Sequence, residues 1–418
     1  MTTHHEPLAD TAVLTPGASG APRTPDAPPP GGGQPPTGLP PAPSPRGPGA
    51  RALTWAGGIV GGGLLLLAGF QGADALAQST ATEQRDFAPA DVVELVADGP
   101  VEVTVGTGDV EVVARSRSGF VDPSFGGQLQ GDRLVVEHRC TGIWFGSCTA
   151  GLDVRLPEDT QVVVRSSSGS IVATGIAGDV DLSSGDGSVT VDGIDGTVLA
   201  VSGSGGVEVH DATGGVEARS SDGHVRVVDA GGDVLAGSGS GGIEVAGVRG
   251  TVDARTSDGS VDVRDTDGEV VARSGSGRVA VADAGGRVEA QSSDGSVEVL
   301  GADGDALAVS GSGQVAVVGA KGRVEARSSD GQVDVSDVTG DATAVSGSGS
   351  VTVAAVQGNV EASSSDGPVT VHGTGTPVRL EISTADGQQF VEAATDPSAS
   401  RSVSIRSGSG DVSYLGPR

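Results

Sequence analysis

Aromatic side chains are scarce in this chain. Phe, Trp and Tyr make up 2% of its 418 residues, and none occurs between Gly146 and Gln389. Any core in that span must use small aliphatic side chains, and a platform of stacked rings for glycans is disfavoured there. Lys321 is the only lysine, and Cys140 and Cys148 are the only cysteines. Two thiols exclude a disulfide-rich scaffold and a cysteine-based metal cluster. Positive charge is also in short supply. Asp and Glu number 54 against 25 Lys and Arg, giving a net charge of -29. A surface this acidic disfavours nucleic acid and other polyanions. No G-x-S-x-G, Walker loop or H-E-x-x-H occurs, and His138, His210, His224 and His372 are scattered.

What the chain has in abundance is glycine, at 71 residues, placed with strict regularity. The glycine that ends each S-S-D-G or S-G-S-G tetrad falls at Gly169, Gly187 and every eighteenth residue to Gly367, twelve units without insertion or deletion. A fixed short period is the signature of a solenoid, in which each unit contacts only its neighbours. With that glycine as position zero, position two is Ile or Val throughout, from Ile171 to Val369. Position four is Val in all but the first unit, which has Ala173, and position nine is Gly from Gly178 to Gly358, with Thr376 the exception. Apolar residues two apart mean strands. The glycine at position nine suggests a corner with positive φ. Each unit thus holds two short strands and two turns. Stacked in parallel at about 4.8 Å per rung, twelve rungs span roughly 58 Å. One inner wall is a valine ladder. The other reads Val, Ala, Ser, as in Val288, Ala290 and Ser292, so the cross-section is thin, and stacked Ser hydroxyls are expected to satisfy one another.

A second period lies over the first. Asp186, Asp222, Asp258, Asp294, Asp330 and Asp366 recur every 36 residues. With 18-residue rungs these carboxylates sit in alternate rungs, roughly 9.6 Å apart; with 36-residue rungs they would stack at about 4.8 Å and repel. The 18-residue rung is favoured and the longer one stays open, since a bound cation could relieve the repulsion. Calcium β-rolls also have 18-residue coils, but here the Asp precedes the glycine and no nonapeptide repeats within the rung. The Asp row therefore reads as turn support, and no metal or other cofactor is expected.

The rest of the chain divides by composition. Residues 1–50, rich in Pro and Gly, read as a disordered tail. Residues 52–72 carry no charge and are long enough for one transmembrane helix. Arg46 and Arg51 before it and Asp74 after it place the N-terminus in the cytoplasm and the repeats outside. The alternative is a signal peptide cleaved at Ala75-Leu-Ala77. Residues 73–85 read as a linker. Residues 86–165 hold most of the aromatics and form an irregular β cap, 166–375 form the solenoid, and 376–418, which break the period, form the second cap. Cys140 and Cys148 are expected to pair as a disulfide clamping the loop between them, beside Trp144 and Phe145.

The S-x-D-G-x-V-x-V and G-x-V-x-A repeats, with Leu152-Asp-Val-Arg-Leu-Pro157 leading into Ser166-Ser-Ser-Gly169, resemble the bacterial putative-adhesin family of β-strand-repeat domains over Val92 to Val412. That resemblance implies a β-solenoid in the cell envelope and transfers no catalytic or binding residue. Arginine in place of lysine suits a high-GC actinobacterium. The expected function is a membrane-anchored extracytoplasmic module for adhesion, interaction or spacing, whose partner is a surface or envelope ligand such as a protein. An envelope-stress or signalling accessory is the alternative. A carbohydrate-active enzyme is disfavoured, because twelve rungs without insertion leave no loops to build a cleft.

Overall fold

The computed structural model describes residues 78–141 and 147–418. They are all β, and the repeats form a parallel β-solenoid. Val189 lies between Ile171 and Val207 in one sheet, and Val198 between Val180 and Val216 in the other. Each step is 18 residues, so the 36-residue rung is excluded. The expected tail at 1–50 and transmembrane helix at 52–72 lie outside the described residues. Among the described residues no helix is long and apolar enough to cross a membrane.

Each rung contributes a strand from positions two to seven to the first sheet, such as Val261–Thr266, and one from eleven to fifteen to the second, such as Val270–Ser274. Side chains at positions two, four, eleven and thirteen are buried, as Val261, Val263, Val270 and Ala272 show. Position seven is buried as well: Ile194, Ala230, Val248 and Thr266 are all at most 2% exposed. Simple alternation would put position six inside and leave seven in the turn. The backbone explains the shift. Positive φ occurs at position six, on Gly193, Asp229, Gly247, Asp265 and Ala355 among others, and not at the position-nine glycines. A left-handed residue acts as a bulge and turns the next side chain inward.

The position-nine glycines have a different cause from the one expected. A Cβ built on Gly268 would lie 2.3 Å from the carbonyl oxygen of Gly250 in the rung below. Position zero is the same: a Cβ on Gly277 would lie 2.0 Å from the Gly259 oxygen. Both corners need glycine because successive backbones press together there, whatever the sign of φ.

The buried serines also depart from expectation. They do not bond to one another. Ser274 Oγ donates to Gly259 O in the rung below at 2.8 Å and accepts from Gly277 N in its own turn at 2.9 Å. The same pair of bonds recurs at Ser220, Ser292 and Ser310. A hydroxyl can donate and accept at once, so one side chain satisfies both backbone groups that the turn removes from the ladder.

The ends are not stacked in chain order. Val92–Ala97 lies between Arg133–Cys140 and Gln161–Ser166, and Val101–Val105 lies between Cys148–Leu156 and Ile171–Thr174. At the far end Ser402–Ser407 sits on Val360–Ser364 and Val412–Leu415 on Val369–His372, while Arg379–Thr384 and Gln389–Val391 lie outside them. The segment expected to be an irregular cap thus contains a further in-phase rung, with Ser407-Gly-Ser-Gly410 as its tetrad. At the first end Ser79–Phe87 pairs antiparallel with Val110–Ser118, so the expected linker is a strand from Ser79 onward.

Acidic residues at position ten brace the second corner. Asp179 Oδ1 accepts from the Thr197 amide at 2.8 Å and from its hydroxyl at 2.7 Å, and Asp233 does the same with Thr251. These bonds, the amide first, hold both carboxyls below their ordinary value of 3.8. A depressed carboxylate stabilises the fold above its unfolded pKa and loses that contribution as pH falls through the folded pKa.

Two predictions follow from the corners. Ala355→Gly should stabilise by about 0.5–1 kcal/mol, because Ala355 has φ of 50°. Gly268→Ala should destabilise by about 1–3 kcal/mol through the close approach of the rung below. Thermal unfolding measures both, and equal effects of the two changes would contradict the assignment of the corners. For the Asp braces, wild type should be more stable than the Asp179→Asn, Asp233→Asn double variant at pH 7. That advantage should shrink below about pH 4 as the carboxylates take up protons. Comparison with the variant cancels the general relief of repulsion that acid brings to a chain of charge -29. An advantage unchanged at about pH 2 would show that charge at these positions is irrelevant.

Candidate functional site

Cys140 and Cys148 form a disulfide with Cα atoms 6.0 Å apart. It joins the end of Arg133–Cys140 to the start of Cys148–Leu156, where the chain passes from one sheet to the other. The stem of this loop is tied down: the Cys140 amide donates to Asp98 Oδ2 at 2.8 Å, and the Gln78 side chain donates to Ser147 Oγ at 3.0 Å. Phe120 beside it is 54% exposed, next to Gly119, whose amide donates to Ser147 O at 3.0 Å. Trp144 and Phe145 lie outside the described residues.

The Asp row supports the turns differently from the expected local bond. The turn amide at Gly187 is taken by Ser184 Oγ, not by Asp186. Asp186 instead accepts from Ser204 in the next rung at 3.3 Å, and Asp258 from Ser276 at 3.3 Å. Alternating S-S-D-G with S-G-S-G therefore sets each carboxylate against a hydroxyl rather than another carboxylate. The described residues contain no group of three or more His, Cys, Asp or Glu placed to hold a metal ion.

The outward faces of the two sheets differ. On the first sheet, Glu244 bridges Arg226 and Arg264, with Arg264 Nη2 at 2.5 Å, and Asp262 joins Arg264 at 3.3 Å. The hydrogen bond from Arg264, aided by both positive charges, holds the Glu244 carboxyl below its ordinary range despite partial burial. Three rungs on, Leu300 and Val318 pair side by side and are 41% and 37% exposed. On the second sheet, the outward positions are twelve and fourteen, and they alternate in chemistry. Glu217 and Arg219 pair at 2.7 Å, Asp253 and Arg255 at 2.6 Å, and Glu325 and Arg327 at 2.6 Å. The rungs between them present half-buried Leu199, Leu235, Val271 and Leu307 at position twelve. The alternation keeps the period of 36 residues seen in the tetrads.

Near the far end, Arg401 fills a corner that has run out of ladder partners. Its Nε donates to Gly358 O at 2.7 Å, Nη2 to Val356 O at 2.6 Å and Nη1 to Thr374 Oγ1 at 2.9 Å. Burial pulls its pKa below the usual arginine value. No carboxylate shares these bonds, and the role is that of a plug for exposed carbonyls.

Chemically, the solenoid offers long regular faces. Of the residues that sequence reading singled out, the structure joins the two cysteines and pairs Asp186, Asp258, Asp330 and Asp366 of the row with a Ser of the rung stacked on them. Sequence reading passed over the Glu–Arg and Leu–Val alternation on the second sheet. Its signal was present in the E-A-R and L-A-V triplets, yet their common orientation depends on knowing the rung.

No family model matches this chain, and no curated protein matches it. Among solved structures it is similar to a putative cell adhesion protein from Clostridium sporogenes, at 9% identity and a TM-score of 0.18, covering 81% of this chain and 100% of that one. It is similar to a putative adhesin from Bacteroides fragilis at 9% identity and a TM-score of 0.20, covering 81% and 97%. A putative lipid binding protein from Parabacteroides distasonis shares 11% identity with a TM-score of 0.19, covering 81% and 97%. Likenesses this distant carry no argument about what this chain does, and the solenoid rests on its own registers.

Proposed function

We propose that this chain is a membrane-anchored extracytoplasmic β-solenoid that acts as an adhesin-like interaction or spacing module, and not as an enzyme. The observation that carries this reading is the unbroken 18-residue register from Gln161–Ser166 to Val360–Ser364. Catalytic solenoids wall a cleft with long loops, and these rungs have none. What remains is a stiff rod whose stability is a sum over neighbouring rungs, suited to holding a surface at a fixed distance. The acidic composition keeps such a rod soluble and disfavours polyanionic ligands. The uncharged stretch at 52–72, preceded by Arg46 and Arg51, supports an anchor with the tail in the cytoplasm. The arginine bias supports an actinobacterial source.

Protease added to intact protoplasts should remove the repeats and leave a tag on the N-terminal tail intact. Digestion of the tag while the repeats survive would reverse the topology. Cells carrying the chain without residues 166–375, with tail and 52–72 kept, should lose attachment to surfaces or to neighbouring cells. Attachment unchanged by that deletion would remove the adhesive and spacing role.

A further inference from the structure

We infer that the outer face of the second sheet is a self-association surface, on which a second copy of this chain packs in parallel and in the same rung register. The inference is independent of the anchor and of the adhesive role. It begins with the alternation at positions twelve and fourteen. Every second rung carries an acid at twelve, and three of these carry arginine at fourteen: Glu217 with Arg219, Asp253 with Arg255 and Glu325 with Arg327. Of the five intervening rungs, Leu199 with Val201 and Leu307 with Val309 are apolar at both positions, while Leu235 stands beside Gly237, Val271 beside Arg273 and Thr343 beside Val345. The ten side chains of the acid–arginine and Leu–Val rungs point outward, since the residues between and beside them are buried.

Two such faces can meet about a two-fold axis in only two ways that keep the rungs aligned. With the axis along the strands, the rods run antiparallel and position twelve meets position twelve. Acid then faces acid, or acid faces leucine. With the axis along the solenoid, each rung meets its own copy and twelve meets fourteen. Glu217 then faces the second copy's arginine at 219, Asp253 the arginine at 255, and Leu307 the valine at 309. Each of these three acid–arginine rungs is matched to the opposite sign and the Leu–Val rungs meet each other; Arg273, which meets Val271, is already paired with Glu289 of the next rung at 2.5 Å. A two-fold interface must be self-complementary in this way.

Size supports the same occupant. Eleven strands of this sheet, from Val180–Ser184 to Val360–Ser364, give a face of about 50 Å by 16 Å. That is close to the ~800 Å² per partner of a standard specific interface.

Sedimentation equilibrium of the full chain in detergent tests this, with circular dichroism to confirm that each variant is folded. Wild type should sediment as a dimer. Leu199→Asp with Leu307→Asp should weaken association by at least ~100-fold. A chain with Arg219→Glu, Arg255→Glu and Arg327→Glu should be monomeric, as should one with Glu217→Arg, Asp253→Arg and Glu325→Arg. Mixed together, those two folded chains should dimerise. A monomeric wild type would overturn the inference. So would a dimer that the Leu199 and Leu307 changes leave intact, which would place association elsewhere, including at residues 52–72. A mixture of the two charge variants that stays monomeric would overturn it as well.

Discussion

Each rung of this molecule must approach the next to within the spacing of a β ladder, at its corners as well as along its strands. Most of the sequence follows from that demand. Along the strands the demand is easily met, since valine over valine packs well at ladder spacing. At the corners it is severe. Gly277 sits so close to the Gly259 carbonyl that a single methyl group would overlap it. A repeat with any other residue there would splay the rungs, and the register on which both sheets depend would slip. The absence of insertions over twelve units is the same constraint seen along the chain.

Close corners create a second problem, because turns remove backbone groups from the ladder while burying them. The buried position-fifteen hydroxyl resolves it on one side of the rung, by linking its own turn amide to the carbonyl below. Position-ten carboxylates, where present, do comparable work on the other side, as Asp179 does for the Thr197 amide. Some buried atoms are left without a hydrogen-bond partner, among them Asp253 Oδ1, Ser404 Oγ and Thr266 Oγ1; Thr266 lies at a position where neighbouring rungs carry Val248 and Ala284. Nothing in the structure explains its hydroxyl.

A solenoid has two ends, and each is an unpaired sheet edge. Here the strands at both ends are intercalated out of chain order. The first rung of the chain is covered by strands that come later in sequence, and the last is covered by strands that come earlier. Neither terminal rung can peel away without first displacing another segment, which suits a rod whose stability is otherwise a sum of neighbour contacts. The disulfide at Cys140 and Cys148 reinforces the first closure, since it ties together the two strands that do the covering.

By itself the sequence determined the solenoid, the parallel sheets and the valine wall, because each follows from a period counted in residues; it left the rung at 18 or 36 residues, and the registers decided for 18. It also placed the two cysteines in one short loop. Tertiary structure decided why the glycines are glycine. The sequence shows that position nine admits no side chain, yet positive φ and a backbone pressing from below leave the same mark; only the stacked rungs separate Gly268, which is crowded, from Gly247, which is left-handed. Burial of position seven was hidden for a related reason, since a left-handed residue breaks the alternation that strand reading relies on. The order of strands at the ends was hidden too, because pairing between Val92–Ala97 and Gln161–Ser166 spans residues that no local pattern connects. The acid–arginine and leucine–valine rungs are written plainly in the chain. They become a face only when a fold brings residues 18 apart into adjacent strands.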